Sequence, residues 1–112
     1  WDHDIKNNPD LPILILSYED MKEDLPREIQ KMCKFLNVSL NDQQLQAIAK
    51  AAGFDVMKEV YSKTGKLSDV IIRKGQVGDW KNWLTVAQSE MIDKVAEEKL
   101  KGTIFSFQRY TI

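Results

Sequence analysis

The chain has 112 residues, of which 43% are hydrophobic and 29% are charged, the balance of a soluble globular domain and not of a disordered or membrane-spanning protein. Sixteen Lys and Arg face seventeen Asp and Glu, giving a formal net charge of -1, so no overall positive field attracts nucleic acid or an anionic membrane. Any bound anion must therefore be held by a local cluster of cations.

The beginning of the chain predicts a connection followed by one strand. Residues 1–11 are polar with a turn signal, Asn-Asn-Pro-Asp, at 7–10. Pro12–Leu16 form a short continuous apolar run, which predicts a strand buried on both faces and is too short to span a bilayer. The chain has no second run of this quality, so we expect most of the sheet to lie outside it.

Three helices are predicted next from apolar spacing and capping residues. The first begins at Asp24 and Pro26, repeats apolar residues at i, i+3, i+4 and i+7, and ends at Asn37. The second has Asn41 and Gln44 at capping-box spacing and closes at Gly53, and residues 54–61 predict a short third helix. The predicted apolar faces contain Ile29, Met32, Cys33 and Leu36 in the first helix, and Leu45, Ile48, Ala49 and Ala52 in the second.

Residues 62–78 hold three glycines and no sustained periodicity, which predicts a long loop of the kind that is usually functional or disordered. A final helix is predicted from a second capping box, Thr85 with Gln88, to Gly102. The residues expected on its buried face are Leu84, Ala87, Met91 and Val95. The aromatic tail that follows, with Phe105, Phe107 and Tyr110, predicts an edge strand or a packed extension.

Cys33 and His3 are the single cysteine and the single histidine of the chain. One cysteine excludes an internal disulfide and is typical of a reducing, cytoplasmic compartment. Two such side chains cannot build a zinc site, and no carboxylate spacing matches a calcium loop, so we expect no metal. Cys33 is interpreted as a small core residue, and His3, in a polar leader, as a solvated side chain.

The strongest local feature is the basic turn Arg73-Lys74-Gly75, followed by Gly78. Adjacent cations beside glycines let the backbone approach an anion while the side chains donate charge-assisted hydrogen bonds, as a terminal phosphate requires. Taken by itself, this pattern also fits a solvated loop. The segment from Lys81 to Glu90, taken by itself, is a helix start with a threonine cap.

Together these segments resemble the C-terminal signature of the cytosolic sulfotransferases. This family transfers a sulfuryl group from 3′-phosphoadenosine 5′-phosphosulfate (PAPS) to a hydroxyl or amine. The pattern RKGxxGDWKNxxTVxxxE runs from Arg73 to Glu90, and the upstream segments YEDMKED, from Tyr18, and PREI, from Pro26, resemble the same family in the same order. The resemblance implies an α/β fold, of which this chain is the C-terminal, mainly helical part of a P-loop-type sulfotransferase domain with one buried strand.

The resemblance also implies five cofactor-binding residues. Arg73, Lys74 and Gly75 would bind the 3′-phosphate of PAPS or of 3′-phosphoadenosine 5′-phosphate (PAP). Tyr18 and Phe54 would lie near the adenine, where an aromatic face can stack on a base. Without the resemblance, both aromatic residues are interpreted as core residues.

A homodimer is implied by a second element of the family. Lys81, Thr85, Val86 and Glu90 match the KxxxTVxxxE pattern through which sulfotransferases form small two-fold dimers. A lysine and a glutamate at this spacing can pair reciprocally across a two-fold axis, because an isologous interface makes each contact twice.

Two positions depart from the family. Ile71 stands where an aromatic residue usually precedes the RKG arginine, and Ala52-Gly53 replace a common Thr-Ser pair. Stacking and hydroxyl contacts to the nucleotide are thereby lost, so we expect the adenine end to be held less well than the phosphate.

No catalytic residue is identified. Neither a GxxxxGK[ST] motif nor the phosphosulfate loop of the family occurs, and His3 does not match the catalytic histidine of the family. We therefore expect residues 1–112 to be one part of a single PAPS-dependent sulfotransferase domain without its N-terminal half, acting on a small-molecule hydroxyl or amine and inactive alone. The alternative is a free-standing helical module that self-associates without nucleotide. Neither interpretation involves nucleic acid, a membrane or a metal.

Overall fold

The computed structural model describes residues 1–63 and 73–105, which form helices and connecting turns and contain no β-strand. The α-helices in this part of the chain are α1 (Asp2–Asn7), α2 (Tyr18–Glu23), α3 (Leu25–Leu36), α4 (Asp42–Ala51), α5 (Phe54–Ser62) and α6 (Val86–Leu100), with a 3₁₀ helix at Asp79–Asn82. The chain divides into a central unit, Leu14–Val77, and a terminal unit, Trp1–Ile13 with Gly78–Ile112.

The central unit is a chain of packed helices: α2 contacts α3, α3 contacts α4, and α4 contacts α5. Its buried apolar side chains, among the residues described, are Ile29 of α3 and Leu45 of α4. The predicted start of α3 is confirmed, since the Asp24 side chain accepts a hydrogen bond from the Arg27 amide at 3.2 Å. Its predicted end is confirmed at Asn37, which adopts a left-handed φ of 56° that asparagine tolerates.

The predicted capping box of α4 is also confirmed. The Asn41 side chain accepts from the Gln44 amide at 2.8 Å, and the Gln44 side chain accepts from the Asn41 amide at 3.1 Å. The prediction that Gly53 closes this helix is wrong: α4 ends at Ala51, and Gly53, with φ of -61° and ψ of 150°, is instead the N-cap of the predicted short helix α5. Its extended backbone starts a helix and does not end one.

The buried strand predicted at Pro12–Leu16 is not observed. Ile15 is 51% exposed, and the Ile13 amide donates to the nearby Leu11 carbonyl at 2.9 Å. A strand forms where a neighbouring strand satisfies its backbone groups, and the described part of the chain offers no such neighbour.

The terminal unit contains α1 where the sequence predicts a polar connection. This short helix is tied to the segment after α6: the Asp2 carboxylate accepts from the Ile104 amide at 2.7 Å, and Lys6 Nζ donates to the Gly102 carbonyl at 2.5 Å. An Asp2–Lys6 ion pair of 3.1 Å spans one turn. The Ile104 amide, more than Lys6, lowers the pKa of Asp2.

The predicted capping box of α6 is confirmed, with Thr85 Oγ1 accepting from the Gln88 amide at 3.3 Å and Gln88 Oε1 accepting from the Thr85 amide at 2.9 Å. The predicted buried face is wrong, because Met91 is 64% exposed and Val95 51% exposed, whereas Ser89 is 2% exposed. The more buried side of the helix instead follows Ser89, Asp93, Ala96 and Leu100. Except for Leu100, small and polar residues occupy that side, so apolar spacing could not locate it.

Parts of two predictions fall outside the described residues. The first is the loop predicted over 62–78, most of which is not described, including Ile71, where the sequence departs from the family. The second is the tail beyond 105, including Phe107 and Tyr110. The described residues 73–78 and 103–105 form neither a helix nor a strand. No helix in the described ranges has both the length and the apolar character needed to cross a bilayer.

Candidate functional site

The ring of Phe54 lies directly against the backbone of Gly75, although the two residues are far apart in sequence. A Cβ atom added to Gly75 would lie 2.4 Å from Phe54 Cε2 and 2.5 Å from Cδ2, much closer than van der Waals contact. Gly75 also has a φ of 61°, a left-handed conformation that costs glycine little and other residues more. The ring and the backbone conformation therefore both require glycine here.

The turn between α4 and α5 fixes the position of Phe54. The Gly53 amide donates to the Lys50 carbonyl at 3.3 Å, and the Gly53 carbonyl accepts from Met57 at 3.0 Å, closing the first turn of α5. Phe54 is the first residue of that helix and is half-buried. The Ala52-Gly53 departure lies in this turn, so the hydroxyl groups common in the family are missing immediately before the ring.

Arg73 and Lys74 directly precede the glycine that contacts the ring, and both side chains are exposed. Successive Cα atoms are about 3.8 Å apart, so both cations originate within two residues of Gly75. The structure thus places an aromatic ring against the glycine that directly follows a basic pair in the chain.

Helix α2 contributes Tyr18 and Lys22 to the central unit. Ser17 caps this helix by accepting from the Asp20 amide at 3.1 Å. Tyr18 is 46% exposed, and Lys22 Nζ lies over the Phe54 ring, 5.3 Å from its centroid, within the range of a cation–π interaction. Residues four apart share a helix face, so Lys22 links the face that carries Tyr18 to the Phe54 ring.

Arg27 of α3 holds α2 in place. Its guanidinium donates to the Asp20 carbonyl at 3.4 Å and pairs with the Glu23 carboxylate at 3.6 Å. It also pairs with Glu28 Oε1 at 3.1 Å, an interaction that raises the pKa of Arg27. These contacts join two successive helices around the turn at Asp24.

Glu28 is a nearly fully buried carboxylate, 1% exposed. Oε1 accepts hydrogen bonds from Lys31 at 2.8 Å and Arg27 at 3.1 Å. The Lys31 bond first, and the Arg27 bond after it, lower the pKa of Glu28 against the opposing effect of burial. Among the described residues, Oε2 has no hydrogen-bond partner.

The predicted dimer element lies in the terminal unit. Lys81 Nζ lies 5.5 Å from the Trp80 ring centroid, and the Thr85 hydroxyl caps α6. Val86 is 62% exposed, and the exposed Glu90 follows one helical turn later on the same face. The element therefore has an apolar residue and a carboxylate available on one exposed face.

Buried Asp79 orders the segment before this helix. Its carboxylate accepts hydrogen bonds from Asn82 Nδ2 at 3.0 Å and from Trp83 Nε1 at 3.3 Å. Gly78, with a φ of 81°, precedes it at the start of the 3₁₀ helix. The Asp79 carboxylate thus ties the Gly-Asp-Trp-Lys-Asn part of the signature to Trp83, just before α6.

A model of the sulfotransferase domain matches residues 3–104 of the chain. The chain belongs to the sulfotransferase family. Dog sulfotransferase 1B1 is 40% identical, in a match that covers 92% of this chain and 38% of the relative. These matches confirm the resemblance to the cytosolic sulfotransferases.

Two solved structures are similar to this chain in fold as well as in sequence. Mouse sulfotransferase SULT7A1, complexed with PAP, has a TM-score of 0.74 and 28% identity over 87% of this chain and 38% of its own. Retinol dehydratase, in complex with androsterone and inactive cofactor PAP, has a TM-score of 0.76 and 28% identity over 93% of this chain and 33% of its own. The chain spans between 33% and 38% of the length of these proteins.

The structure brings together Phe54 and Gly75, and Arg73 and Lys74 directly precede Gly75 in the chain. Tyr18 is linked to the Phe54 ring through Lys22, which lies one turn later on the same helix. Sequence reasoning missed Lys22, although its position one turn after Tyr18 could have indicated it. His3 is 86% exposed and pairs with Asp4 at 3.6 Å, in agreement with a solvated side chain. The described residues contain no group of three His, Cys, Asp or Glu placed to hold a metal.

Proposed function

We propose that the chain is part of a PAPS-dependent sulfotransferase and contributes the site for the 3′-phosphoadenosine end of the cofactor. Arg73, Lys74 and Gly75 bind the 3′-phosphate, and Phe54 and Tyr18 lie near the adenine. The contact between the Phe54 ring and Gly75 carries this proposal. A nucleoside phosphate needs an aromatic surface for its base and a cationic turn for its phosphate close together, and this contact makes the two adjacent.

The residues present fit such a ligand. Gly75 has no side chain to cover its backbone amide, and the guanidinium and ammonium groups before it offer charge-assisted hydrogen bonds. A half-buried ring can stack on a base while remaining anchored in the protein. PAPS, when bound, supplies the activated sulfuryl group; the residues of this chain bind and orient its nucleotide end, and none of them is assigned a proton-transfer role.

We also propose that the catalytic base and the phosphosulfate loop, neither of which was identified in this sequence, lie in the remainder of a P-loop-type α/β sulfotransferase domain. Pro12–Leu16 would then form a buried strand of a sheet completed by that remainder, and residues 1–112 alone would be inactive. Several large apolar side chains of α5, including Val60 (55%), and several of α6, including Met91 (64%), are exposed; they support this proposal, because an apolar patch on a protein surface marks an interaction site. The acceptor is proposed to be a small-molecule hydroxyl or amine, and the compartment the cytoplasm.

A homodimer through Lys81, Thr85, Val86 and Glu90 is the second part of the proposal. It is supported by the exposure of Val86 next to an ordered helix start and by Glu90 one turn away. An apolar residue flanked by opposite charges suits a small self-complementary contact.

The test of nucleotide binding is a titration of the ¹⁵N-labelled chain with PAP, followed by amide chemical shifts. We expect the largest shifts at Arg73, Lys74, Gly75 and Phe54. The Arg73→Ala variant should bind PAP about 10- to 100-fold more weakly, because it loses a charge-assisted hydrogen bond. Lys101→Ala, which removes one cation from the exposed end of α6, is the matched control and should leave affinity unchanged.

Two outcomes would overturn this assignment. One is a titration whose shifts lie away from the basic turn. The other is an Arg73→Ala variant that binds PAP as tightly as Lys101→Ala does. A silent titration with self-association intact would instead favour the free-standing helical module.

A further inference from the structure

The Phe54 ring has two defined neighbours on different elements of the central unit. The backbone of Gly75 lies at one edge of the ring, next to Cδ2, Cε2 and Cζ, and the Lys22 ammonium lies over the ring. Phe54 itself is only half-buried and begins α5 without a side-chain cap. Both contacts therefore act on a ring that is partly open to solvent, and each one constrains its orientation.

Lys22 is well placed to hold the ring because its own helix is anchored twice. Ser17 caps the start of α2. From α3, the Arg27 guanidinium donates to the Asp20 carbonyl and forms an ion pair with the Glu23 carboxylate. Because Lys22 is on an anchored six-residue helix, backbone motion disturbs its contact with the Phe54 ring less than it would if the lysine were on a loop.

We infer that Lys22 is a positioning residue for the nucleotide: its ammonium holds the Phe54 ring against Gly75, so that the base-stacking surface stays beside the phosphate-binding turn. The inference rests on the proposed function, since it assigns a role within the same site. Lys22 acts through the ring, by the attraction between a cation and the negative face of an aromatic ring. It is not proposed as a ligand of the phosphate.

A role through the ring and a role through direct charge have different consequences. If Lys22 positions Phe54, its removal weakens ligands that carry a base and spares ligands that do not. If Lys22 binds phosphate, its removal weakens both equally, and the loss grows at low salt because the screening is weaker.

The test compares Lys22→Met, Lys22→Arg and the control Lys34→Met, each in the full 112-residue chain. Methionine keeps the length of the side chain and removes the charge, arginine restores a cation, and Lys34→Met removes an equal charge from α3. Affinities are measured for PAP and for ribose 3,5-bisphosphate, which lacks the base. The ring-current shift of the Gly75 α-protons is measured without ligand.

We expect Lys22→Met to weaken PAP binding about three- to fivefold, the size expected of an exposed cation–π contact. The affinity for ribose 3,5-bisphosphate should not change, the Gly75 shift should move toward its random-coil value, and Lys22→Arg should restore both PAP affinity and the shift. In a Phe54→Leu background, Lys22→Met should have no further effect, because the two residues act as one unit.

Three results would each overturn the inference: an equal loss of affinity for both ligands in Lys22→Met, an unchanged PAP affinity, or a Gly75 shift that is the same in Lys22→Met as in the wild type. A wild-type chain that binds no PAP would overturn the proposed function and this inference with it. A wild-type chain that binds PAP while Lys22→Met behaves like Lys34→Met would overturn this inference alone. Amide spectra of the unliganded variants establish that each one is folded.

Discussion

Helices α3 and α6 belong to different units and differ in how well their sequences predict them. Both begin with a side-chain cap at the expected residue, Asp24 for α3 and Thr85 for α6. Ile29 of α3 is buried as its spacing predicts, although Leu36 of the same predicted face is 66% exposed; on the predicted face of α6, Met91 is 64% exposed. The comparison shows that a cap depends on residues three positions apart, whereas a buried face depends on what the rest of the chain places opposite it.

The neighbours of each helix explain the difference. In the central unit, α3 packs between α2 and α4, which bury Ile29 but leave Leu36, at the end of the predicted stripe, 66% exposed. In the terminal unit, the buried side of α6 follows Ser89, while the exposed side carries Val86 and Met91. We attribute that exposed side to contacts made outside this chain, through the proposed dimer and the remainder of the domain.

The largest expected effect tests the exposed face of α6. Val86→Glu should raise the dimer dissociation constant on the order of 100-fold or more, because it buries an unpaired charge at the proposed contact. Sedimentation velocity at increasing concentration measures this change. Val95→Glu is the matched control, since Val95 is 51% exposed on the same helix but lies outside the motif. An unchanged dimer in Val86→Glu would refute the assignment of the interface.

The next effect concerns the ring contact of the central unit. Gly75→Ala should destabilise the fold by about 2–5 kcal/mol, from a left-handed alanine and from a clash with the Phe54 ring. Gly102 in the terminal unit also has a positive φ, 78°, but open space around it, so Gly102→Ala should cost about 1–2 kcal/mol. Urea denaturation compares the two variants, and equal losses would show that the ring does not occupy the position of the added methyl.

The smallest effect is a dependence of stability on pH that both units share. The pKa values of Glu28 in the central unit and Asp2 in the terminal unit are lowered in the folded chain. A lowered carboxyl pKa contributes stability that is complete above the unfolded pKa, about 4, and is lost as pH falls through the folded value. Glu28→Gln and Asp2→Asn should each flatten the acid limb of the plot of denaturation midpoint against pH, below about pH 4. Unchanged acid limbs would contradict these pairings.

Local sequence rules predicted much of the fold but missed features that depend on distant partners. The capping pairs Asn41–Gln44 and Thr85–Gln88 were predictable because each is complete within four residues. The strand at Pro12–Leu16 was not, because its apolar pattern requires a sheet that the described residues do not contain. Helix α1 was missed because its Asp2 carboxylate is bonded to the Ile104 amide, at the other end of the chain.

The residues of the candidate site also divide into those that local sequence predicts and those that depend on a distant partner. Arg73, Lys74 and Gly75 stood out because three neighbouring residues carry the chemistry of anion binding. The contact between Gly75 and Phe54 could not be predicted from spacing, since it joins two segments separated by a long stretch of chain. The family resemblance selected both residues independently, and the structure then brought them together.

The central claim is that the turn at Arg73 and Lys74 recognises the 3′-phosphate of an adenine nucleotide. Its most direct test compares the affinity of the chain for PAP and for adenosine 5′-phosphate, which has the same base and lacks only that phosphate. The account predicts that PAP binds at least about 10-fold more tightly, as charge-assisted hydrogen bonds to one phosphate require. Equal affinities for the two nucleotides would contradict it.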